Sequence, residues 1–152
     1  MIAVVQRVSE ARVDVGGAPV GQIGLGVVAL VAVHADDTTD DVNWMASKLA
    51  GLRIFRNGEK HLDYDVQQVA GSMLLVSNFT VAGATRKGRR PSLDAAASPD
   101  LANRLFEQLV AAVKRLGVAV ATGRFGADMK VSLVNDGPVT FIVNSRENQP
   151  HD

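Results

Sequence analysis

The run "LGVVALVAV", Leu25 to Val33, constrains this chain more than any other stretch, because it holds no polar side chain. It is far too short to cross a bilayer, which takes about 20 residues as a helix. Its valines and its glycine flank favour an extended segment. A strand without a polar member is buried on both faces, so it belongs in the middle of a sheet with material on either side. "SMLLVSNFTV" (72–81) reads as a second strand of the same kind. A chain of 152 residues with 47% apolar composition can supply that cover from one core. We therefore expect a single domain over residues 1–145 and a polar, frayed tail over 146–152.

The remaining elements follow from local pattern. "IAVVQRV" (2–8) and "EARVDV" (10–15) are valine-rich, and Gly16-Gly17 turns the chain so that "APVGQI" returns. "TTDDVNWMASKLAGL" (38–52) has a capping threonine, acids in its first turn, and a stripe of Val42, Met45, Leu49 and Leu52. It reads as a helix. "LRIF" (52–55) reads as a short strand, with Asn57-Gly58 as a turn. A second helix opens at Ser98-Pro99, a capping serine with proline in the first helical position. Leu101, Leu105, Leu109, Val113 and Leu116 are its expected core face, and Gly117 ends it. "VAVAT" (118–122), "DMKVSLV" (128–134) and "VTFIV" (139–143) complete the strands. The order is mostly strands with two inserted helices, not a regular alternation. The fold class is α+β with a mainly antiparallel or mixed sheet.

Composition excludes several classes of function. Formal net charge is zero, so no global field attracts polyanions, and any nucleic-acid contact must come from a local patch. The chain has no cysteine, hence no disulfide or thiolate metal site. The opening "MIAVVQRVSEARV" lacks a basic region, an apolar core and a cleavage site, so it is not a secretory signal. We expect a cytoplasmic protein with no membrane partner. The histidines, His34, His61 and His151, have neither ligand-like nor triad spacing, so no metal site is expected. Gly24-Leu25-Gly26 lacks the rest of a dinucleotide fingerprint and reads as a turn.

Three segments carry candidate chemistry. "SNFTV" (77–81) ends an apolar strand in Ser77, Asn78 and Thr80. That is either an ordinary strand end or a site where free backbone N–H groups bind an oxyanion. Thr80 would serve as a nucleophile only with a base beside it, and no neighbour in sequence supplies one. "TRKGRRPS" (85–92) concentrates Arg86, Lys87, Arg89 and Arg90, which suits either a solvated loop or contact with phosphates. "GRFGADM" (123–129) adds Arg124 beside Phe125, an aromatic that can stack on a base or simply pack. The sharpest feature is "NDGPVT" (135–140). Asp136-Gly137 suits a two-residue hairpin turn, but the bond closing it would need the N–H of residue 138, and proline has none. A trans loop and a type VI turn with a cis Gly137–Pro138 bond both fit these residues.

"VVQRV" (4–8), "LRIF", "SNFTV", "TRKGRRPS", "TGRFGADM" (122–129) and "NDGPVT" together, in that order, resemble the D-aminoacyl-tRNA deacylase family almost end to end. The resemblance implies a barrel-like core with two principal helices, and a homodimer with composite sites. It implies hydrolysis of the ester of D-aminoacyl-tRNA, and of mischarged glycyl-tRNA, without cofactor or metal and without DNA as a partner. The family motif Ser-Gln-Phe-Thr falls on Ser77, Asn78, Phe79 and Thr80, with Asn78 one methylene shorter than the usual glutamine. Backbone N–H groups at Phe79 and Thr80 are implied to hold the ester carbonyl. The motif Asn-x-Gly-Pro-x-Thr matches at Asn135, Gly137, Pro138 and Thr140. It implies a cis Gly-Pro element that enters the partner's site, with Arg7 holding it. Arg86, Lys87, Arg89, Arg90 and Phe125 are then expected to meet tRNA. A non-catalytic RNA-binding module is the alternative.

Overall fold

The computed structural model describes residues 1–147. Its strands are β1 (Ile2–Val15), β2 (Ala18–Ile23), β3 (Gly26–Ala32), β4 (Phe55–Asn57), β5 (Lys60–Tyr64), β6 (Ser72–Ser77), β7 (Ala119–Thr122) and β8 (Lys130–Asn144). Two helices, α1 (Thr39–Gly51) and α2 (Pro99–Arg115), and a 3₁₀ turn, Phe79–Ala82, complete it. The class is α+β with a mixed sheet. β1 pairs antiparallel with β2, β3 and β8, whereas β3–β6 and β6–β7 are parallel. Each helix is the crossover between two adjacent parallel strands, which explains why two helices interrupt an otherwise strand-rich chain. β4 and β5 form a separate two-stranded sheet. No helix among the described residues is long and apolar enough to cross a membrane.

The sheet rolls into a nearly closed barrel. β2 pairs with β1 on one side and lies against β7 on the other without a hydrogen-bond ladder. Gly21 permits this approach, since a Cβ there would sit 2.1 Å from the Thr122 carbonyl oxygen. The apolar run of β3 is used as its lack of polar members predicts. Val27, Ala29 and Val31 face the helices together with Met73 and Leu75 of β6. Val28 and Leu30 face the barrel interior with Val8, Val13, Leu74 and Val76. Burying a side chain such as Leu74 or Leu109, both 0% exposed, contributes roughly 1.5–3 kcal/mol of transfer free energy.

Both helix starts form as their caps dictate. The Thr38 side chain accepts from the Asp40 N–H, and the Asp41 carboxylate returns to the Thr38 N–H, a capping box. The Ser98 hydroxyl accepts from the Leu101 N–H ahead of Pro99. The face of α2 is wider than its leucine stripe. Ala102, Leu105, Phe106, Leu109, Ala112 and Val113 are buried, Leu101 is half-buried, and Leu116 lies past the helix end at 44% exposure.

Several boundaries differ from expectation. "LRIF" contributes only Phe55 to a strand, because Arg7 takes the Ile54 carbonyl as an acceptor. β6 stops at Ser77, where Asn78 takes φ −143°, ψ 89° and the chain enters the 3₁₀ turn. "DMKVSLV" and "VTFIV" are not two strands joined by a turn. They are halves of one strand, β8, paired along the same edge of β1. The tail is not frayed at its start: Arg146 pairs with Asp36 and, at 3.0 Å, with the buried Asp37. Residues 148–152, including His151, lie outside the described residues.

Candidate active site

The answer to the proline in "NDGPVT" lies in the β1–β8 register. Val8 pairs with Asn135 and Gln6 pairs with Thr140, so Asp136 to Val139 stand opposite Arg7 alone. The segment is a bulge that leaves the sheet and returns to the same strand line. Its closing donor is not residue 138. The Asn135 Oδ1 accepts the Val139 N–H at 2.8 Å, and the Asn135 Nδ2 donates to Thr140 Oγ1 at 2.9 Å. Pro138 therefore withholds no bond that the bulge needs. The Gly137–Pro138 bond is cis. Gly137 sits at φ +151°, where a Cβ would fall 2.7 Å from Val139 Cγ2, so a side chain has no place there. Gly137 and Pro138 are both exposed and form the tip.

Arg7 holds this tip from below. It is 2% exposed, and its guanidinium donates to the Asp136 carbonyl at 2.8 Å, the Ile54 carbonyl at 2.8 Å and the His61 carbonyl at 3.3 Å. Burial, and after it the nearby Arg56 charge, pushes the Arg7 pKa down, while Asp136 opposes the shift. An arginine starts so high that it stays charged throughout the physiological range.

The second cluster is at the C-terminal end of β6. Ser77, Asn78, Phe79 and Phe125 line a mainly apolar pocket of about 610 Å³ together with Leu93, Ala97 and Met129. Phe79 is 57% exposed at its mouth. The backbone hydrogen bonds of the 3₁₀ turn begin at Val81, whose N–H donates to the Asn78 carbonyl at 3.2 Å. The Phe79 and Thr80 N–H groups precede that first bond, so the turn itself gives them no acceptor. The Thr80 hydroxyl donates to Asn78 Oδ1 at 2.6 Å. A side-chain amide cannot take up a proton, so this partner does not activate Thr80 as a nucleophile. Asparagine, despite its shorter reach, thus has a definite job here, fixing the Thr80 side chain over the turn.

These two clusters do not meet within one chain. Ser77 pairs with Val31, level with Ala3 on β1, whereas the tip stands opposite Arg7. On the unrolled sheet that separates them by four residues along the strands and three strand spacings across, about 19 Å. None of residues 135–140 lines the pocket. The basic residues Arg86, Lys87, Arg89 and Arg90 form a third group, on an exposed loop closed by the Ala84–Ser92 bridge. They lie outside the pocket lining, though the loop follows directly from the 3₁₀ turn. Among the described residues no three histidine or acidic side chains gather as metal ligands.

Sequence reading missed two parts of this arrangement. Leu93, Ala96, Ala97 and Met129, outside the strands and helices, and Val131 of β8 bring apolar walls from distant parts of the chain, and nothing in their local pattern marks them as a lining. Arg56 reaches the Asp136 carboxylate at 3.2 Å across 80 positions of sequence, and the only available signal was opposite charge.

The chain is thus an α+β barrel of mixed pairing, with a polar strand end beside an apolar pocket and the Gly137–Pro138 bulge elsewhere on the sheet. The comparisons name the family. A family model described as D-Tyr-tRNA(Tyr) deacylase matches residues 4–144. A D-aminoacyl-tRNA deacylase of Geobacter sulfurreducens is 53% identical over 146 residues, 96% of each chain. One from Desulfitobacterium hafniense is 50% identical over 148 residues, covering 97% of this chain and 99% of that one. Among solved structures, one titled c-Myc DNA Unwinding Element Binding Protein superposes with a TM-score of 0.90 at 32% identity, covering 95% of this chain and 98% of that one. A probable eukaryotic D-amino acid tRNA deacylase shares the fold, with a TM-score of 0.79 at 17% identity, covering 93% and 97%. The chain belongs to the D-aminoacyl-tRNA deacylase family.

Proposed function

We propose that this protein hydrolyses the ester bond of D-aminoacyl-tRNA in the cytoplasm, releasing the D-amino acid and free tRNA, with two composite sites in a homodimer. The observation that carries this reading is that the two family-motif segments stand as separate clusters on a single chain, none of residues 135–140 lining the pocket of Ser77, Asn78 and Phe79. Each is built and neither is complete, which suits an isologous pair in which the tip of one copy enters the pocket region of the other.

In such a site the carbonyl oxygen of the ester lies against the Phe79 and Thr80 N–H groups. Water adds to the carbonyl carbon, the bond to the ribose oxygen breaks, and that oxygen leaves with a proton as the free hydroxyl of the tRNA. The neighbouring 2′-OH of the RNA assists. Positioning and charge stabilisation are the protein's contribution, in keeping with a Thr80 hydroxyl whose hydrogen bond goes to an amide. The Gly137 and Pro138 carbonyls of the other copy face the α-carbon and amino group of the substrate. The Cβ of an L-residue would strike them, while that of a D-residue points away, so chirality is read by exclusion. Glycine has no Cβ, so mischarged glycyl-tRNA is also a substrate. Arg86, Lys87, Arg89 and Arg90 meet backbone phosphates, and Phe125 lies where the terminal nucleotide enters.

The deciding assay compares D-Tyr-tRNA with L-Tyr-tRNA at equal concentration. Release of D-tyrosine with little release of L-tyrosine supports the proposal. Binding of both without release of either identifies a non-catalytic RNA-binding module instead. A monomer by sedimentation at micromolar concentration, still fully active, would sink the composite site. Thr80→Ala with retained activity would eliminate a threonine nucleophile. Lost activity in a folded Thr80→Ala would revive it.

A further inference from the structure

The tip has no side chain with which to secure itself. Gly137 has none, Pro138 is exposed, and their position is inherited from residues 135, 136 and 139. Asn135 sets the path along the strand through Val139 and Thr140. What sets the tip sideways is Asp136. Its carbonyl accepts from Arg7 at 2.8 Å, and its carboxylate lies 3.6 Å from the same guanidinium and 3.2 Å from that of Arg56.

Arg56 belongs to β4, in the β4–β5 hairpin, which has no ladder to the main sheet. Phe55 and Tyr64 of this hairpin and Val139 of the bulge pack on the same core, and the polar ties between hairpin and tip run through two arginines. Arg7 binds the Ile54 and His61 carbonyls on the hairpin side and the Asp136 carbonyl on the tip side. Arg56 binds the Asp136 carboxylate directly. From this geometry we infer that Asp136 and Arg56 are positioning residues, and that the β4–β5 hairpin is a brace that sets how strictly L-esters are rejected. The inference rests on the proposed exclusion by Gly137 and Pro138.

The reasoning is mechanical. Exclusion by contact depends on a wall that does not retreat, and a displacement of about 1 Å is enough to change rates by large factors. The carboxylate of Asp136 stands between two guanidiniums. Remove it and Arg7 of β1 and Arg56 of the hairpin face each other without the anion that joins them, so the tip loses its carboxylate tie to both and the hairpin is pushed from β1. Remove only Arg56 and the tip keeps Arg7 but loses its outer support.

The test measures kcat/KM for D-Tyr-tRNA and L-Tyr-tRNA with wild type, Arg56→Ala, Arg56→Lys and Asp136→Asn, with thermal unfolding as a check on folding. Arg56 is half-exposed, so the expected fall in the D-to-L ratio for Arg56→Ala is modest, about three- to fivefold. Arg56→Lys retains most of the ratio. Asp136→Asn lowers it further, by about tenfold, because both guanidiniums lose the charge. The fall comes from a rise in L-ester hydrolysis, with the D-ester rate changing far less. A merely structural role would instead lower both rates in parallel, and that result, or an unchanged ratio in both Arg56→Ala and Asp136→Asn, overturns the inference while leaving the proposed function intact. Wild type with no preference between the two esters would overturn both.

Discussion

Replacing Arg7 by methionine keeps the volume and removes the guanidinium, and its cost can be worked from the contacts. In favour of the variant, a buried cation no longer has to be kept out of water, and such replacements are neutral or stabilising where the whole polar cluster is exchanged. Here the cluster is not exchanged. The acceptors are backbone carbonyls of Ile54, His61 and Asp136, which no side-chain substitution removes. The two bonds at 2.8 Å are charge-assisted, worth about 1.5–3 kcal/mol each, and the Ile54 carbonyl belongs to a buried residue. Unsatisfied acceptors therefore outweigh the relief of desolvation, and the expected net loss is about 3–5 kcal/mol. In a domain of this size that lowers Tm by roughly 10 °C. Urea unfolding by circular dichroism, with slope and midpoint compared to wild type, measures it. Arg7→Lys, which keeps the charge but not the fork, should recover only part of the loss. A loss below about 1 kcal/mol for Arg7→Met would refute the reasoning, because it would mean that the guanidinium does not hold the β4–β5 hairpin to β8.

Gly21→Ala should destabilise by about 3 kcal/mol or more in the same assay, since its Cβ would meet the Thr122 carbonyl oxygen at 2.1 Å and only a shift of β2 against β7 relieves that. A near-neutral result would show that the barrel is open on that side. Arg89→Glu and Arg90→Glu should weaken binding of different tRNAs alike and reduce the slope of log affinity against log salt by about 1 per arginine. An unchanged slope returns the loop to plain solvent. Burial first, then the Met1 ammonium, holds the His34 pKa below its ordinary value of 6.5, and its buried Nδ1 has no partner among the described residues. The unfolded chain therefore takes up this proton first. The His34 contribution to stability is complete above about pH 6.5 and is lost as pH falls below it. Unfolding free energy measured from pH 7.5 to 5 should decline, and His34→Gln should flatten the decline. An equal slope in both proteins would show that other groups set it.

Local chemistry determined a good part of this protein. Thr38 and Ser98 start their helices where capping residues must, because the orphan N–H groups of a first turn need an oxygen within a few residues. β3 lies buried on both faces because no register of an all-apolar strand offers water a polar side. Asn135, Gly137, Pro138 and Ser77 to Thr80 stood out since proline, glycine and clustered polar groups break an apolar pattern wherever they fall.

The tertiary structure decided what those residues do. That "NDGPVT" is a bulge within β8 and not a turn between strands depends on β1 running along both halves, and sequence spacing carries no trace of which edge a strand will find. That Arg7 lies beneath it, that Arg56 reaches Asp136, and that Phe125 joins Ser77 and Phe79 in one pocket depend on contacts across tens of residues. Such contacts are chosen by the packing of whole elements, through burial that is non-directional and indifferent to sequence distance. Capping and turning are settled within one turn of chain by bonds of fixed reach, so they can be read from the sequence. A site assembled by packing cannot, except through its resemblance to chains that have already folded the same way.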